Sequence, residues 1–188
     1  MQIISSLIGM TLRNVTDDAT RSSLQTAMGR VEAMSTVHRR FYQSSDVTRF
    51  DVGAFTRELA TNLVVATGRS DIRLKLDLEP IRVIADKAAP LALMMNELAT
   101  NAIKHGFAGD RGGTLSISIH QAGPEECQIV VADDGPGLQF VAHKNAAYGH
   151  QLVQRLARQL KAQIDWQDAE PGLRAVITVP ITQHISGE

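Results

Sequence analysis

The chain has 188 residues, 44% of them apolar, with 19 Lys and Arg against 20 Asp and Glu for a formal charge of −1. That is enough chain and apolar surface to build a core without staples, and the near-neutral balance gives no electrostatic reason to bind nucleic acid or a membrane surface. The single cysteine, Cys127, excludes a disulfide framework or a cysteine metal site and fits a reducing cytoplasm.

No apolar run approaches the ~18 to 20 residues that span a bilayer, and the opening MQIISSLIGM has neither a basic segment nor a cleavage site. A cytoplasmic chain without membrane insertion is expected. From Met1 to Val15, residues Ile4, Leu7, Ile8, Thr11 and Val15 form one helical stripe. Thr16, Asp17 and Asp18 then supply capping residues for a second helix, Asp17 to Ser44, in which Leu24, Met28, Val31, Met34, His38 and Phe41 recur by threes and fours. At 1.5 Å per residue this helix is about 40 Å long, too long to hide its stripe against the shorter first helix. Two hairpins joined as a dimeric four-helix bundle would cover all four stripes, and packing of the stripe on the rest of the chain is the alternative.

A further helix is predicted from Asp51, near its N-cap, to Thr67, with Gly68 near its C-cap. Ile72, Leu74, Leu76 and Leu78 alternate as a half-buried strand. Lys87 to His105 reads as a helix, Thr114 to His120 and Gln128 to Ala132 as strands, Gly149 to Leu160 as a helix, and Ile164 to Trp166 and Arg174 to Val179 as closing strands. Helices mixed with a mostly antiparallel sheet indicate an α+β fold.

Two segments carry chemistry. In Asn96-Glu97-Leu98-Ala99-Thr100-Asn101-Ala102-Ile103-Lys104-His105, the residues Glu97, Asn101, Lys104 and His105 fall at i, i+4, i+7 and i+8 and share one face. Two asparagines inside an otherwise core-like helix have a propensity cost that a plain solvated face avoids. The second segment, Asp133-Asp134-Gly135-Pro136-Gly137, sets a carboxylate at a strand end before glycines that let backbone approach a ligand closely.

NELATNAIKH resembles the N box, and DDGPG the first glycine box, of the Bergerat-type ATP-binding domain shared by sensor histidine kinases, gyrase and MutL. QIISSLIGM with its hairpin, VHRRFYQSSDVTRFDVGAF, GGTLSISI, YGHQLVQRLARQL and RAVITVP resemble, in order and spacing, a histidine kinase subclass common in α-proteobacteria. A related subclass carries Trp-x-Glu, whereas here Trp166 is followed by Gln167 and Asp168. The resemblance implies a dimerisation and phosphotransfer hairpin over residues 1–50 and a Bergerat-type α/β sandwich that binds ATP over 51–188. It implies ATP and Mg²⁺ as ligands, a homodimer and a response-regulator receiver domain as partners, and transfer of the ATP γ-phosphate to a histidine and then to an aspartate.

By the same resemblance, Asp133 accepts a hydrogen bond from the adenine amino group, with a water or Thr178 completing adenine recognition. Asn101 supplies an oxygen to Mg²⁺, and Lys104 and His105 contact phosphates. Gly135, Gly137 and Gly149 shape the cavity, Gly149 by opening a helix whose free N–H groups face the phosphates. Glu97 is the general base of a kinase, or orients water in an ATPase; a structural carboxylate is the alternative.

Eleven residues separate Gly137 from Gly149, so an ATP lid would be short, and His150 stands where the family usually has an apolar residue. His120, His143 and His184 have no ligand spacing and read as surface residues. The family's phosphoaccepting histidine would lie about six residues upstream of Met1, and His38, on the second helix, reads as structural. An adaptor or phosphotransfer protein that docks a response regulator without kinase activity is the alternative function. A gyrase-like ATPase is weakened by the absence of a transducer domain after Val179.

Overall fold

The structure, a computed structural model, describes residues 2–43, 46–109, 111–137 and 146–181. Its first two helices, α1 (Gln2–Asn14) and α2 (Asp18–Gln43), form a hairpin. Asp17 turns the chain between them: its carboxylate accepts from the Thr20 N–H at 2.7 Å and its carbonyl from the Arg21 N–H at 2.9 Å, satisfying donors at the start of α2. Strand β1 (Arg49–Asp51) leads into α3 (Val52–Ala66), whose N-cap Asp51 accepts from the Ala54 N–H at 2.8 Å. Gly68 follows the C-cap with φ +66°.

Strands β2 (Ile72–Leu78) and β3 (Arg82–Ile84) precede the central helix α4 (Ala85–Asn101), which continues as a π turn over Ala102–Gly106. Then come β4 (Gly113–Gly123), β5 (Glu126–Asp133), α5 (Ala146–Leu160), β6 (Gln163–Asp168) and β7 (Leu173–Pro180). The main sheet has the order β2-β4-β5-β7-β6, parallel only between β2 and β4. A two-stranded antiparallel pair, β1 with β3, sets Phe50 opposite Val83; its three-residue strands escape a periodicity search.

Side-chain alternation places one set of residues from every strand on the helix side of the sheet. Leu76, Ile117, Val131, Ala175 and Trp166 form one row across it, paired neighbour to neighbour. Leu91, Met94, Met95 and Leu98 of α4 join these strands in a single buried cluster. Cys127 belongs to that cluster, and its burial pushes the thiol pKa up to about 11, so it fills space rather than reacting. Among the described residues no helix is long and apolar enough to cross a membrane.

The hairpin docks on this layer through α2, where Phe41 of the stripe read from periodicity packs 5.7 Å from the Phe50 ring, while the rest of the contact runs along a different line. Ala33 and Val37 are the buried residues of α2, and a Cβ on Gly29 would lie 3.7 Å from the Asn96 amide. Small side chains let α2 approach α4, while Leu24, Met28, Val31 and Met34 stay half-buried and His38 is exposed, its ring 4.8 Å from that of Tyr42. At the far end of α2, Arg40 donates to Glu58 at 2.7 and 3.0 Å and to the Ala54 carbonyl at 2.9 Å.

Candidate functional site

Asp133 ends β5 in the alternation that includes Ile129 and Val131, so its carboxylate faces the helices and not solvent. Only 8% of the residue is exposed, and burial raises its pKa against the lowering effect of the Gly135 and Leu173 backbone. Oδ1 accepts the Gly135 N–H at 2.9 Å. Two glycines make room for this carboxylate. A Cβ on Gly106 would stand 2.8 Å from Asp133 Cγ, and one on Gly135 would stand 2.6 Å from Oδ1 and collide with the Gly106 backbone. The next carboxylate, Asp134, instead ties the turn to β4 by accepting the Thr114 N–H at 2.7 Å.

Above Asp133 lies a mainly apolar slot, open at one side. It is lined by Leu98 and Asn101 of α4, Ala102 and His105 of the π turn, Val131, Leu173 and Ala175 of the sheet, and Pro136, Gly137, His150 and Trp166. The His150 and Trp166 rings stand 5.1 Å apart at 33°. A flat apolar slot with one carboxylate at its base matches a planar ring bearing an amino group.

Asn101 and His105 also border a second, polar cavity, where they meet Glu97, Lys104 and Gly149. Glu97, 3% exposed, is held by a fork from the hairpin: Arg30 Nε donates to Oε1 at 2.9 Å and Nη2 to Oε2 at 2.8 Å. Lys104 Nζ donates to Thr26 Oγ1 at 2.9 Å. Loss of water around this ammonium lowers its pKa, with Glu97 opposing and Arg30 adding to the shift. A Cβ on Gly149 would lie 3.4 Å from Asn101 Nδ2 and 3.5 Å from Glu97 Oε2, ordinary contact distances that set α5 directly against the polar face of α4.

The structure thus brings Asn101, His105, Asp133 and Gly137 to the slot, with Gly135 beneath it, and Glu97, Asn101, Lys104, His105 and Gly149 to the polar cavity. Thr178 is not brought to either. It pairs with Gln128 and Gln163, so alternation puts it on the sheet face opposite Ala175 and Ile177, and Ala175 holds the place expected of it. Gly149 does not open its helix: the described part of α5 already runs from Ala146, which sets Gly149 inside it.

His120 lies on the outer sheet face between Asp77 and Glu79, at 3.1 and 3.3 Å, and the Glu79 hydrogen bond leads in raising its pKa. The expected lid, His143 and His184 fall outside the described residues. Sequence reading missed Trp166, Ala175 and Arg30 as site residues. Alternation from Asp133 and Val131 identifies the first two, whereas nothing in spacing marks Arg30.

Among the described residues no three His, Cys, Asp or Glu side chains converge as a metal cluster. The donor set at the polar cavity still suits Mg²⁺, which takes few protein oxygens and completes its octahedron with phosphates and water; Asn101 would hold it.

A family described as histidine kinase matches residues 1–67, and one described as histidine kinase-, DNA gyrase B-, and HSP90-like ATPase matches residues 86–183. The chain is 22% identical over 161 residues to blue-light-activated histidine kinase 2 of Erythrobacter litoralis, covering 82% of this chain and 46% of that protein. It is 27% identical over 192 residues to the sensor histidine kinase PdtaS of Mycolicibacterium smegmatis, covering 100% of this chain and 38% of that protein. The chain therefore spans less than half the length of these curated relatives. The fold is that of the histidine kinase domain from Erythrobacter litoralis EL346 blue-light activated histidine kinase, with a TM-score of 0.75, 19% identity and 96% of both chains covered.

Proposed function

This chain belongs to the histidine kinase-, DNA gyrase B-, and HSP90-like ATPase family, and from that premise we propose that it is the transmitter portion of a two-component sensor histidine kinase. Residues 1–50 form the dimerisation and phosphotransfer hairpin and residues 51–188 the ATP-binding catalytic domain. The observation that carries the reading is the join at Asn101 and His105 between the apolar slot over Asp133 and the polar cavity of Lys104 and Glu97. Together they accommodate a base at one end and a polyphosphate at the other.

In the proposed reaction a histidine imidazole nitrogen attacks the γ-phosphorus, the bond to the β,γ-bridging oxygen breaks, and ADP leaves. The imidazole proton passes to a carboxylate, for which Glu97 is positioned once its fork to Arg30 opens. Mg²⁺, when bound, neutralises the phosphate charge. The phosphoryl group then moves to an aspartate of a response-regulator receiver domain. Leu7 and Met10, 59% and 64% exposed on α1, support a homodimer through the hairpin, and the absence of a membrane-length apolar helix among the described residues is compatible with a cytoplasmic location.

The test is calorimetric titration with Mg-ATP, paired with transfer of label from γ-labelled ATP to a histidine-bearing hairpin supplied in trans. One ATP per chain and acid-labile, alkali-stable label that disappears in Asn101→Ala are expected. No heat of binding at millimolar ATP would refute the proposal.

A further inference from the structure

The polar cavity has walls from two separate parts of the chain. Glu97, Asn101 and Lys104 face it from the catalytic layer, and Thr26 and Arg30 of α2 face it from the hairpin. We infer that Arg30 is a nucleotide-site residue, which selects for the terminal phosphate by cancelling the charge of Glu97. The inference rests on the ATP reading above and adds the hairpin to the site.

The argument is one of charge. Glu97 is a nearly fully buried carboxylate beside the place where a polyphosphate would lie. Left alone, it would repel each phosphate, and weak screening in a buried setting makes that repulsion strong. Arg30 engages both of its oxygens in a bidentate fork, a geometry that guanidinium matches and ammonium does not. With that pair neutral, the Lys104 ammonium gives the cavity its net positive charge. The cavity therefore favours phosphates only while α2 is docked, and by linkage the terminal phosphate favours the docked hairpin. Adenosine lies in the slot over Asp133 and senses little of this.

Binding of a non-hydrolysable ATP analogue, ADP and adenosine, each with Mg²⁺, is to be measured for wild type, Arg30→Gln and the double variant Arg30→Gln with Glu97→Gln. The sole tryptophan, Trp166, lines the slot and reports occupancy by fluorescence. Arg30→Gln should lose about tenfold for the ATP analogue, less for ADP and nothing for adenosine, and the double variant should recover to within about threefold of wild type. Equal loss for all three ligands, a gain for the ATP analogue, or no recovery in the double variant would each overturn the inference. If Arg30→Gln does not fold, Glu97→Gln alone decides: the ATP analogue should tighten relative to ADP, and an unchanged ratio overturns the inference. Failure of wild type to bind any of the three would remove the ATP reading itself, and the inference with it.

Discussion

Replacing Asp133 by Asn changes one atom at the base of the slot and reverses what that atom offers. The carboxylate only accepts, and Oδ1 already takes the Gly135 N–H at 2.9 Å. With the retained oxygen kept on that bond, the amide presents an NH₂ donor where the carboxylate presented its second acceptor. An adenine amino group would then meet a donor in place of an acceptor. A hydrogen bond to a charged group is worth about 1.5 to 3 kcal/mol, so ATP affinity should fall about 10- to 150-fold. A base with a keto oxygen at that position should lose less or gain, which titration with ATP and ITP will read directly.

Stability supplies the control. The folded-state pKa of Asp133 is raised by burial, so its contribution to stability is full below the unfolded pKa and is lost as pH rises through the folded one. The neutral amide escapes that loss, and the melting temperature of Asp133→Asn at neutral pH should be no lower than that of wild type. For the same reason, wild-type ATP affinity should weaken as pH falls through the raised pKa, and the variant should not follow. ATP affinity within about twofold of wild type in Asp133→Asn would refute the placement of adenine over this carboxylate.

Gly135→Ala should destabilise the protein by about 1 to 3 kcal/mol, because its Cβ meets the Gly106 backbone and the Asp133 carboxylate with nowhere to shift; a thermal melt unchanged from wild type would contradict that packing. The hairpin should dimerise in solution, and Val31→Asp should shift the light-scattering mass toward the monomer, since an unpaired charge is costly in a desolvated seam. A wild-type mass that stays monomeric at all concentrations would rule the dimer out.

Much of this was legible in sequence because local chemistry decides it. Asp17 and Asp51 cap helices as their types predict, and alternation in β2 and β4 matches strands that bury one face. The N-box spacing brings Glu97, Asn101, Lys104 and His105 to one cavity, even though the last two lie in a π turn. What was not legible depends on contacts between distant segments. Thr178 is implied by the resemblance, while register decides which side of the sheet it faces. The docking line of α2 runs through Gly29, Ala33 and Val37, small residues that hardly register in a hydrophobic pattern. Arg30 and Glu97 are 67 positions apart, and a charge pair of that span leaves no period to detect.

The parallel pairing of β2 with β4 bears on how the protein folds. Parallel neighbours cannot be joined by a tight turn, so the chain from Leu78 to Gly113 must leave the sheet and return, and α4 lies on that detour. Closing it delays the reward of strand pairing until a long stretch has been ordered. The helix bearing Glu97 and Asn101 is therefore part of the linkage that completes the sheet, rather than an ornament laid on it. Its amides should exchange with solvent only through global unfolding, so the α4 wall of the nucleotide site is rigid, and movement at the site is left to the hairpin wall.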